Sequence, residues 1–280
     1  MKQIMNLIKK IYNYYLVFTL DKIVFHFTLL FSGNVFAILF NFYSFINKSK
    51  NRVFLKNNKF YCTEINWTFN QKKVGLYAYG KGFKKRISEL THSYHLEKIN
   101  FQNDDTIIDI GANNGDLYLC FNNKINYYGF EPSPKVYLNL NENIKNQNLY
   151  NLGVWNTENK NIDFYLSDDF GDSSIIPINE FSKKISIQTT TLDQIISKIG
   201  TKIKLLKIEA EGAEPEILQG LSKQLNMVEY ISIDCGFERG KNQTSTISEC
   251  SNYLIQKNFE MIGFNSPRIV VLYKNNSLIN

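Results

Sequence analysis

The chain has 280 residues, of which 44% are hydrophobic and 14% aromatic, with only 15 Gly and 5 Pro. This composition excludes a wholly disordered chain and collagen-like or proline-rich repeats, and the length suffices for one large domain with an appendage. The net charge of +6 is uneven, because residues 1–60 hold nine basic side chains and one acidic one, whereas the remainder carries −2. Four cysteines without metal-binding spacing favour a reducing, cytoplasmic setting over a disulfide scaffold.

Residues 1–52 predict a hydrophobic and basic helical segment. Residues 1–22 place apolar side chains at helical spacing, and Ile23–Ile46 then run for 24 residues without a formally charged side chain. That length could cross a bilayer, but one His, two Asn and one Gly within it weaken insertion. Three interpretations stay open: a helical hairpin packed on the catalytic domain, the same hairpin at an anionic membrane surface, and a true span.

Residues 53–100 predict a mixed segment that leads into the main domain, either on its substrate side or as a cap. Phe60–Phe69 and Lys73–Tyr79 alternate apolar and polar side chains, which predicts short strands. A helix is predicted over Ile87–Ile99.

Residues 101–280 alternate strands with helices, a pattern typical of a parallel sheet covered by helices. The chain ends in a predicted antiparallel hairpin formed by Phe259–Phe264 and Arg268–Lys274. A Rossmann-like parallel sheet closed by such a C-terminal antiparallel hairpin is the α/β layout of class I methyltransferases. The predicted parallel strands are Thr106–Ile110, Tyr127–Phe130, Leu149–Trp155, Lys204–Ile208 and Tyr230–Ile233, with β-like pieces at Ile162–Leu166 and Ile185–Thr189.

Ligands of such sheets bind beyond the carboxyl ends of the strands. Asp109 ends the first strand, and Gly111 and Gly115 then allow the loop to pass close to a ligand. Glu131 ends the second strand 20 residues after Gly111, where a carboxylate can accept hydrogen bonds from ribose hydroxyls. The loop has neither GxGxxG spacing nor the Lys-Ser/Thr of a P-loop, so it suits an adenosyl group better than a dinucleotide or a triphosphate.

These residues resemble the ordered motifs of the FkbM family of S-adenosylmethionine-dependent methyltransferases. The resemblance spans roughly residues 85–275. It rests on Ile107–Gly115, Gly129–Pro134, Asp172–Ser174, Thr190–Asp193, Leu206–Glu214 and Asp234–Gly240. The chain departs from the family at Glu209, where Asp is usual, and the longer carboxylate keeps the charge but changes its reach.

The resemblance implies methyl transfer to a hydroxyl, commonly of a sugar or a glycosylated natural product. It also implies which residues surround the cofactor and the acceptor. Around the amino-acid part of the cofactor it places Asp109, Gly111, Asn113 and Gly115. At the ribose it places Glu131, and on the acceptor side Glu209 and Glu211.

Methylation of a sugar hydroxyl, which is a poor nucleophile, benefits from a positioned base or a metal. The candidate bases are Glu209 and Glu211, followed by Asp234 and then by His92 or His95. Structural interpretations compete with two of these, since Glu211 could satisfy amides at a helix N-terminus and Asp234 could cap the loop after the fifth strand.

No metal site is predicted. His92 and His95 stand three apart on the predicted helix, but they have no clear third ligand. Asp168, Asp169 and Asp172 fit a solvated acidic loop better than a cation site.

The sequence therefore predicts an S-adenosylmethionine-dependent O-methyltransferase that acts on a sugar or glycoconjugate in the assembly of a surface polysaccharide or glycolipid. Two alternatives stay open: an NAD-binding oxidoreductase, given the same Gly/acid spacing, and a catalytically silent membrane-associated binding module. The expected partner is a carbohydrate acceptor, and nucleic acid is not expected because no recognition module is present. The expected location is the cytoplasm, with peripheral contact of residues 1–60 at the inner face of the membrane as an open alternative.

Overall fold

The computed structural model describes residues 20–121, 124–145, 147–167 and 172–278. The chain divides into two compact units, with the boundary between Phe83 and Lys84. The α-helices are α1 (residues 20–29), α2 (Gly33–Ile46), α3 (Lys72–Tyr79), α4 (Phe83–Ser93), α5 (Pro134–Asn143), α6 (Leu192–Ile199), α7 (Glu214–Gln219) and α8 (Ile247–Gln256). The strands are β1 (Val53–Lys56), β2 (Lys59–Cys62), β3 (Trp67–Phe69), β4 (Thr106–Ile110), β5 (Asn126–Phe130), β6 (Asn148–Tyr150), β7 (Gly153–Val154), β8 (Asn161–Leu166), β9 (Lys183–Thr190), β10 (Ile203–Ile208), β11 (Val228–Asp234), β12 (Phe237–Arg239), β13 (Thr244–Ser245), β14 (Phe259–Phe264) and β15 (Val270–Asn275).

The first unit has an aromatic core between α2 and an antiparallel sheet of β1, β2 and β3. Phe36 and Phe40 of α2 are fully buried. The Phe36 ring lies 4.8 Å from that of Phe60, and the Phe40 ring lies 6.1 Å from that of Phe69. Aromatic pairs at these distances add to the stability gained from burial alone.

The long uncharged stretch of the sequence is not one helix. α1 ends at residue 29, and α2 begins at Gly33, whose φ of +57° is a conformation that glycine adopts without strain. Within residues 20–121, 124–145, 147–167 and 172–278, no helix has both the length and the apolar character needed to cross a membrane.

The strand predicted at Lys73–Tyr79 is wrong, because the segment forms helix α3. Its buried residues are Gly75, Leu76, Ala78 and Tyr79, a spacing that fits one face of a helix and not the alternation of a strand. Gly75 packs so closely on Phe69 that a Cβ there would lie 1.9 Å from the ring. The alternation of Val74, Leu76 and Ala78 in the sequence predicts a strand, but the packing of this segment selects a helix.

The second unit is built on a seven-stranded sheet with the order β14-β15-β11-β10-β4-β5-β6. The neighbours from β11 to β6 are parallel, and β15 runs antiparallel to both β11 and β14. This arrangement confirms the predicted parallel sheet with a C-terminal antiparallel hairpin. Strand β4 is buried throughout, as is most of β10 and β11, so the sheet centre forms the core and its carboxyl edge can carry polar groups.

The third predicted strand, Leu149–Trp155, is wrong in extent. The sheet strand ends at Tyr150, and β7 belongs to a separate sheet with the order β7-β9-β8. Asn151 lies at the break, where its side-chain amide donates to the carbonyls of Glu131 and Pro132 at 2.8 and 3.0 Å. These bonds turn the chain out of the main sheet toward the end of β5.

Candidate functional site

The loop after β4 has the tight geometry that its glycines predict. Gly111 has φ +72°, and a Cβ there would lie 1.9 Å from the carbonyl oxygen of Glu209. Gly115 has φ +93°, and a Cβ there would lie 2.5 Å from Ile144. Between them, the side-chain oxygen of Asn113 is buried and has no hydrogen-bond partner among the described residues. A buried acceptor without a donor is costly unless a ligand satisfies it.

Glu131 joins the end of β5 to this loop. Its two carboxylate oxygens accept from the backbone amides of Asn113 at 3.0 Å and Ser133 at 2.8 Å. Burial raises the pKa of Glu131 to about 7, although both amides favour the ionised form. The glycine loop and the strand end that the spacing connects are therefore in contact, and each carboxylate oxygen of Glu131 can accept a further hydrogen bond from a hydroxyl.

Asp109 is buried beneath the loop. Its carboxylate lies 2.9 Å from the ammonium of Lys207 and accepts from the hydroxyl of Tyr127 at 2.5 Å. Burial raises the pKa of Asp109 and outweighs both partners, which favour the ionised form. Because both oxygens contact protein groups, Asp109 supports the loop from below.

Lys207 was not predicted from the sequence, although a Lys among the apolar residues Leu205, Leu206 and Ile208 at the end of strand β10 is itself a signal. Its buried ammonium donates to the carbonyls of Ile110 and Gly111 at 3.1 and 2.9 Å. Burial acts to lower its pKa, but the carboxylates of Asp109 and Glu209 outweigh burial and the pKa is raised. Lys207 thus joins β4, β10 and the start of the glycine loop.

Glu209 follows β10 and is held by three side chains from separate parts of the unit. It accepts from the hydroxyl of Tyr94 and from the guanidinium of Arg268, and it lies 3.3 Å from the ammonium of Lys207. Burial acts to raise its pKa, but the two cations outweigh it and hold the pKa at about 2. A carboxylate with such a low pKa is a weak base at neutral pH.

Asp234, at the end of β11, shares the same arginine. Its carboxylate lies 2.5 Å from Nε of Arg268 and accepts from the amide of Gly236 at 3.1 Å. Burial and the neighbouring Glu209 charge raise its pKa, against the opposing effect of Arg268. Arg268 therefore clamps Asp234 and Glu209 together from the turn of the β14–β15 hairpin.

Glu211 and Glu238 differ from these acids because neither side chain has a hydrogen bond or ion pair within the described ranges. Burial raises the pKa of Glu211 well above its usual value, and the charges of Glu238 and Glu209 raise it further. Burial, together with the charges of Asp234 and Glu209, raises the pKa of Glu238 to about 8. Glu238 lies in β12, within the Asp234–Gly240 motif, and no role was predicted for it from the sequence.

The acid that satisfies amides before helix α7 is Glu214 and not Glu211. Glu214 accepts from the amides of Ala210 and Gly212 at 2.9 and 3.1 Å and from the hydroxyl of Thr246 at 3.1 Å. The loop that it closes places Glu211 in the left-handed region, at φ +51°. The structural role considered for Glu211, which was to satisfy amides at a helix N-terminus, therefore belongs to Glu214.

The two histidines do not share a helix face. Helix α4 ends at Ser93, and His95 has φ +55° and is buried, whereas His92 is largely exposed. Across the described part of the chain, no group of three His, Cys, Asp or Glu side chains is arranged to hold a metal ion. Asp168 and Asp169 of the acidic loop lie outside the described residues, and Asp172 is exposed.

Comparison with known proteins connects this geometry to a family, since residues 109–261 match the methyltransferase FkbM domain. The chain is 25% identical over 179 residues to the 2-O-methyltransferase NoeI of Sinorhizobium fredii. This match covers 56% of this chain and 73% of NoeI. It is 26% identical over 143 residues to the hexuronic acid methyltransferase AglP of Haloferax volcanii. This match covers 48% of this chain and 56% of AglP. Among solved structures, the chain is similar to the plantazolicin methyltransferase BpumL in complex with S-adenosylhomocysteine (SAH). The TM-score is 0.40 and the identity 13%, over 69% of this chain and 84% of BpumL, and a similarity this low carries no functional argument.

Proposed function

We propose that this chain, which belongs to the FkbM methyltransferase family, methylates a hydroxyl group of a sugar or glycoconjugate. The protein is a methyltransferase and its cofactor is S-adenosylmethionine, which decides against the NAD-binding alternative. When bound, the cofactor supplies a methyl group activated by the adjacent positive sulfur. The four cysteines are free thiols, which supports a reducing, cytoplasmic location.

The loop after β4 and the end of β5 form the proposed cofactor pocket. Glu131 accepts hydrogen bonds from the ribose hydroxyls through the carboxylate lone pairs that the amides of Asn113 and Ser133 do not use. The unpartnered, buried oxygen of Asn113 accepts from the amino group of the cofactor. Gly111 and Gly115 keep the loop close to the ligand, and Asp109 holds the loop in place through Lys207.

The observation that carries the proposed reaction is the presence of two carboxylates, Glu211 and Glu238, that lie beyond the carboxyl ends of β10 and β11 and have no hydrogen-bond or ion-pair partner in the described part of the chain. An acceptor hydroxyl must lose its proton as it is methylated. With a pKa of about 8, Glu238 is partly ionised near neutral pH and is basic enough to take that proton. Burial raises the pKa of Glu211 well above its usual value, which favours the protonated form, and in that form Glu211 donates a hydrogen bond to an acceptor oxygen.

Glu209 and Asp234 have a supporting role in this proposal. Arg268 contacts both carboxylates, and Tyr94 and Lys207 fix Glu209 further. These contacts leave little freedom for either group to accept a proton from a substrate. They hold the two strand ends in register, so that the acceptor meets a preorganised surface.

The acceptor class is supported by the names of the two relatives, which are a 2-O-methyltransferase and a hexuronic acid methyltransferase. A neutral hydroxyl suits the acidic side of the site better than a hexuronate carboxylate, because a further negative charge would meet Glu211 and Glu238, which have no paired cation among the described residues. Esterification of a hexuronic acid is the second candidate, favoured by the similarity to AglP.

The two candidates differ in the stability of their products. The full chain is incubated with methyl-labelled S-adenosylmethionine and a glycan extract of the source cell, and the labelled sugar is isolated and mapped. Label that survives mild alkali as a methyl ether supports O-methylation, whereas label that alkali releases supports the ester. Absence of transfer to any glycan refutes the sugar acceptor. Glu238→Gln should lose the transfer, and the exposed Glu260→Gln serves as the matched control.

A further inference from the structure

Helix α2 carries apolar side chains on two different sides. One side, with Phe36, Phe40 and Tyr43, is buried in the aromatic core of the first unit. The other side consists of Val35, Ile38, Phe42 and Phe45, here called the α2 stripe, and these side chains are 48% to 68% exposed. Their spacing of three and four residues aligns them along one face of the helix.

The preceding segment also exposes large apolar side chains. Ile23 and Phe27 of α1 are 58% and 51% exposed, and Leu30, just after α1, is 79% exposed. Single exposed apolar residues are ordinary, but many of them on adjacent helices mark a surface that meets a partner or a membrane.

The charges around this surface are positive. Helix α2 has no charged residue, and Lys48, Lys50 and Lys56 follow it with exposed side chains. Asp21 is the single acid among residues 20–60, and it pairs with Lys81 at 2.9 Å. Lysines beside an apolar helix face favour the anionic surface of a bilayer.

We propose that the α2 stripe and the neighbouring lysines dock the first unit on an anionic membrane surface, with α2 in the plane of the interface. The helix has 14 residues, which gives a length of about 21 Å against a hydrocarbon core of about 30 Å. Its opposite side is committed to the protein core, so only the α2 stripe can enter the lipid. This docking goes beyond the proposed function, and its test does not depend on catalysis.

The test measures sedimentation of the full chain with two kinds of vesicle, phosphatidylcholine alone and phosphatidylcholine with about one-third phosphatidylglycerol. We expect binding to the anionic vesicles only. Ile38→Asp/Phe42→Asp should lower the bound fraction about tenfold or more, because two exposed apolar anchors are replaced by negative charges. The matched control is Ile255→Asp/Phe264→Asp in the second unit, where the side chains are 55% and 51% exposed, and it should bind like the unmodified chain.

Lys48→Glu/Lys50→Glu tests the contribution of charge separately and should also reduce binding to the anionic vesicles. Equal binding to both kinds of vesicle, or full binding by Ile38→Asp/Phe42→Asp, overturns the proposal. So does failure of the unmodified chain to bind either vesicle. A dimer that Ile38→Asp/Phe42→Asp dissociates, in the absence of vesicle binding, would assign the α2 stripe to a second copy of the chain instead.

Discussion

The carboxylates on the two sides of the candidate site differ in how many protein partners they have. On the proposed cofactor side, Asp109 and Glu131 have protein partners for both of their oxygens. On the proposed acceptor side, Glu211 and Glu238 have no hydrogen-bond or ion-pair partner among the described residues, although burial raises the pKa of both. The first arrangement suits fixed recognition of one ligand, whereas the second suits groups that exchange protons.

The contrast also explains why Arg268 lies between Glu209 and Asp234. A site with several acids close together would lose stability through repulsion if all of them ionised. Arg268 compensates Glu209 and Asp234, and the remaining acids reduce their charge by staying partly protonated. The acceptor side thus separates its carboxylates into fixed and titratable ones.

The largest expected effect comes from removing the proposed base. Glu238→Gln keeps the side-chain size, and we expect kcat to fall about 10²- to 10⁴-fold, since general-base catalysis typically contributes that much. The unmodified enzyme should show kcat/KM rising with pH up to about 8, because only the ionised form of Glu238 accepts a proton, and the variant should lose this limb. The affinity for S-adenosylmethionine should stay unchanged in calorimetry.

A full rate in Glu238→Gln combined with a large loss in Glu211→Gln would exchange the two roles. Loss of cofactor affinity in Glu238→Gln would instead place Glu238 on the cofactor side and remove the contrast. Glu260→Gln, an exposed change on β14, controls for a general effect of replacing Glu by Gln.

The next effect tests how firmly the cofactor side is fixed. Lys207→Met removes the cation that compensates buried Asp109 and that ties the glycine loop to β10. We expect a loss of about 3–5 kcal/mol in the free energy of unfolding, because a buried charge is left without its partner. Urea unfolding measures this loss, and Lys207→Met/Asp109→Asn should recover part of it. Additive losses in the double variant would show that the two groups are not coupled.

The sequence was sufficient to predict the local geometry of the proposed cofactor side because its signals are local. Strand β4 is predicted at its observed bounds by a short apolar run, and Gly111, Gly115 and Glu131 are each defined by their distance from a strand end. The closing hairpin was likewise predicted from two apolar runs around a turn. Periodicity failed where apolar residues alternate along a segment that forms a helix, as in Lys73–Tyr79, and where Asn151 turns the chain out of the sheet.

The acceptor side was harder to predict because its contacts join distant parts of the chain. Tyr94, Lys207 and Arg268 meet at Glu209 only after the sheet has formed. Spacing identified Glu209 as an acid at a strand end, but it could not show that two cations would lower its pKa. Glu238 lies inside the Asp234–Gly240 motif, yet only the fold shows that its side chain has no hydrogen-bond or ion-pair partner among the described residues.

A smaller effect is expected when the proposed ribose contact of the cofactor side is removed. Glu131→Ala eliminates a charged acceptor, and we expect the affinity for S-adenosylmethionine to fall about 10- to 100-fold, the value of one or two such hydrogen bonds. Calorimetry with S-adenosylmethionine or SAH checks this, with Glu229→Ala, an acid paired with Lys204 on the opposite end of β11, as the control. Unchanged affinity in Glu131→Ala would refute the assigned pocket.

The smallest expected effect concerns Glu214, which lies between the two sides and closes the loop that carries Glu211. Burial raises its pKa from 4.5 to about 7 in the folded protein, so the stability that it contributes is present below pH 4.5 and is lost as the pH rises through 7. Glu214→Gln keeps an oxygen for the amides of Ala210 and Gly212 but cannot ionise. Relative to the unmodified protein, the variant should therefore gain about 1–3 kcal/mol between pH 5 and pH 8 in urea unfolding. Because Glu131 titrates in both proteins, its contribution cancels in this difference, and a difference that does not vary with pH would show that Glu214 is ionised throughout.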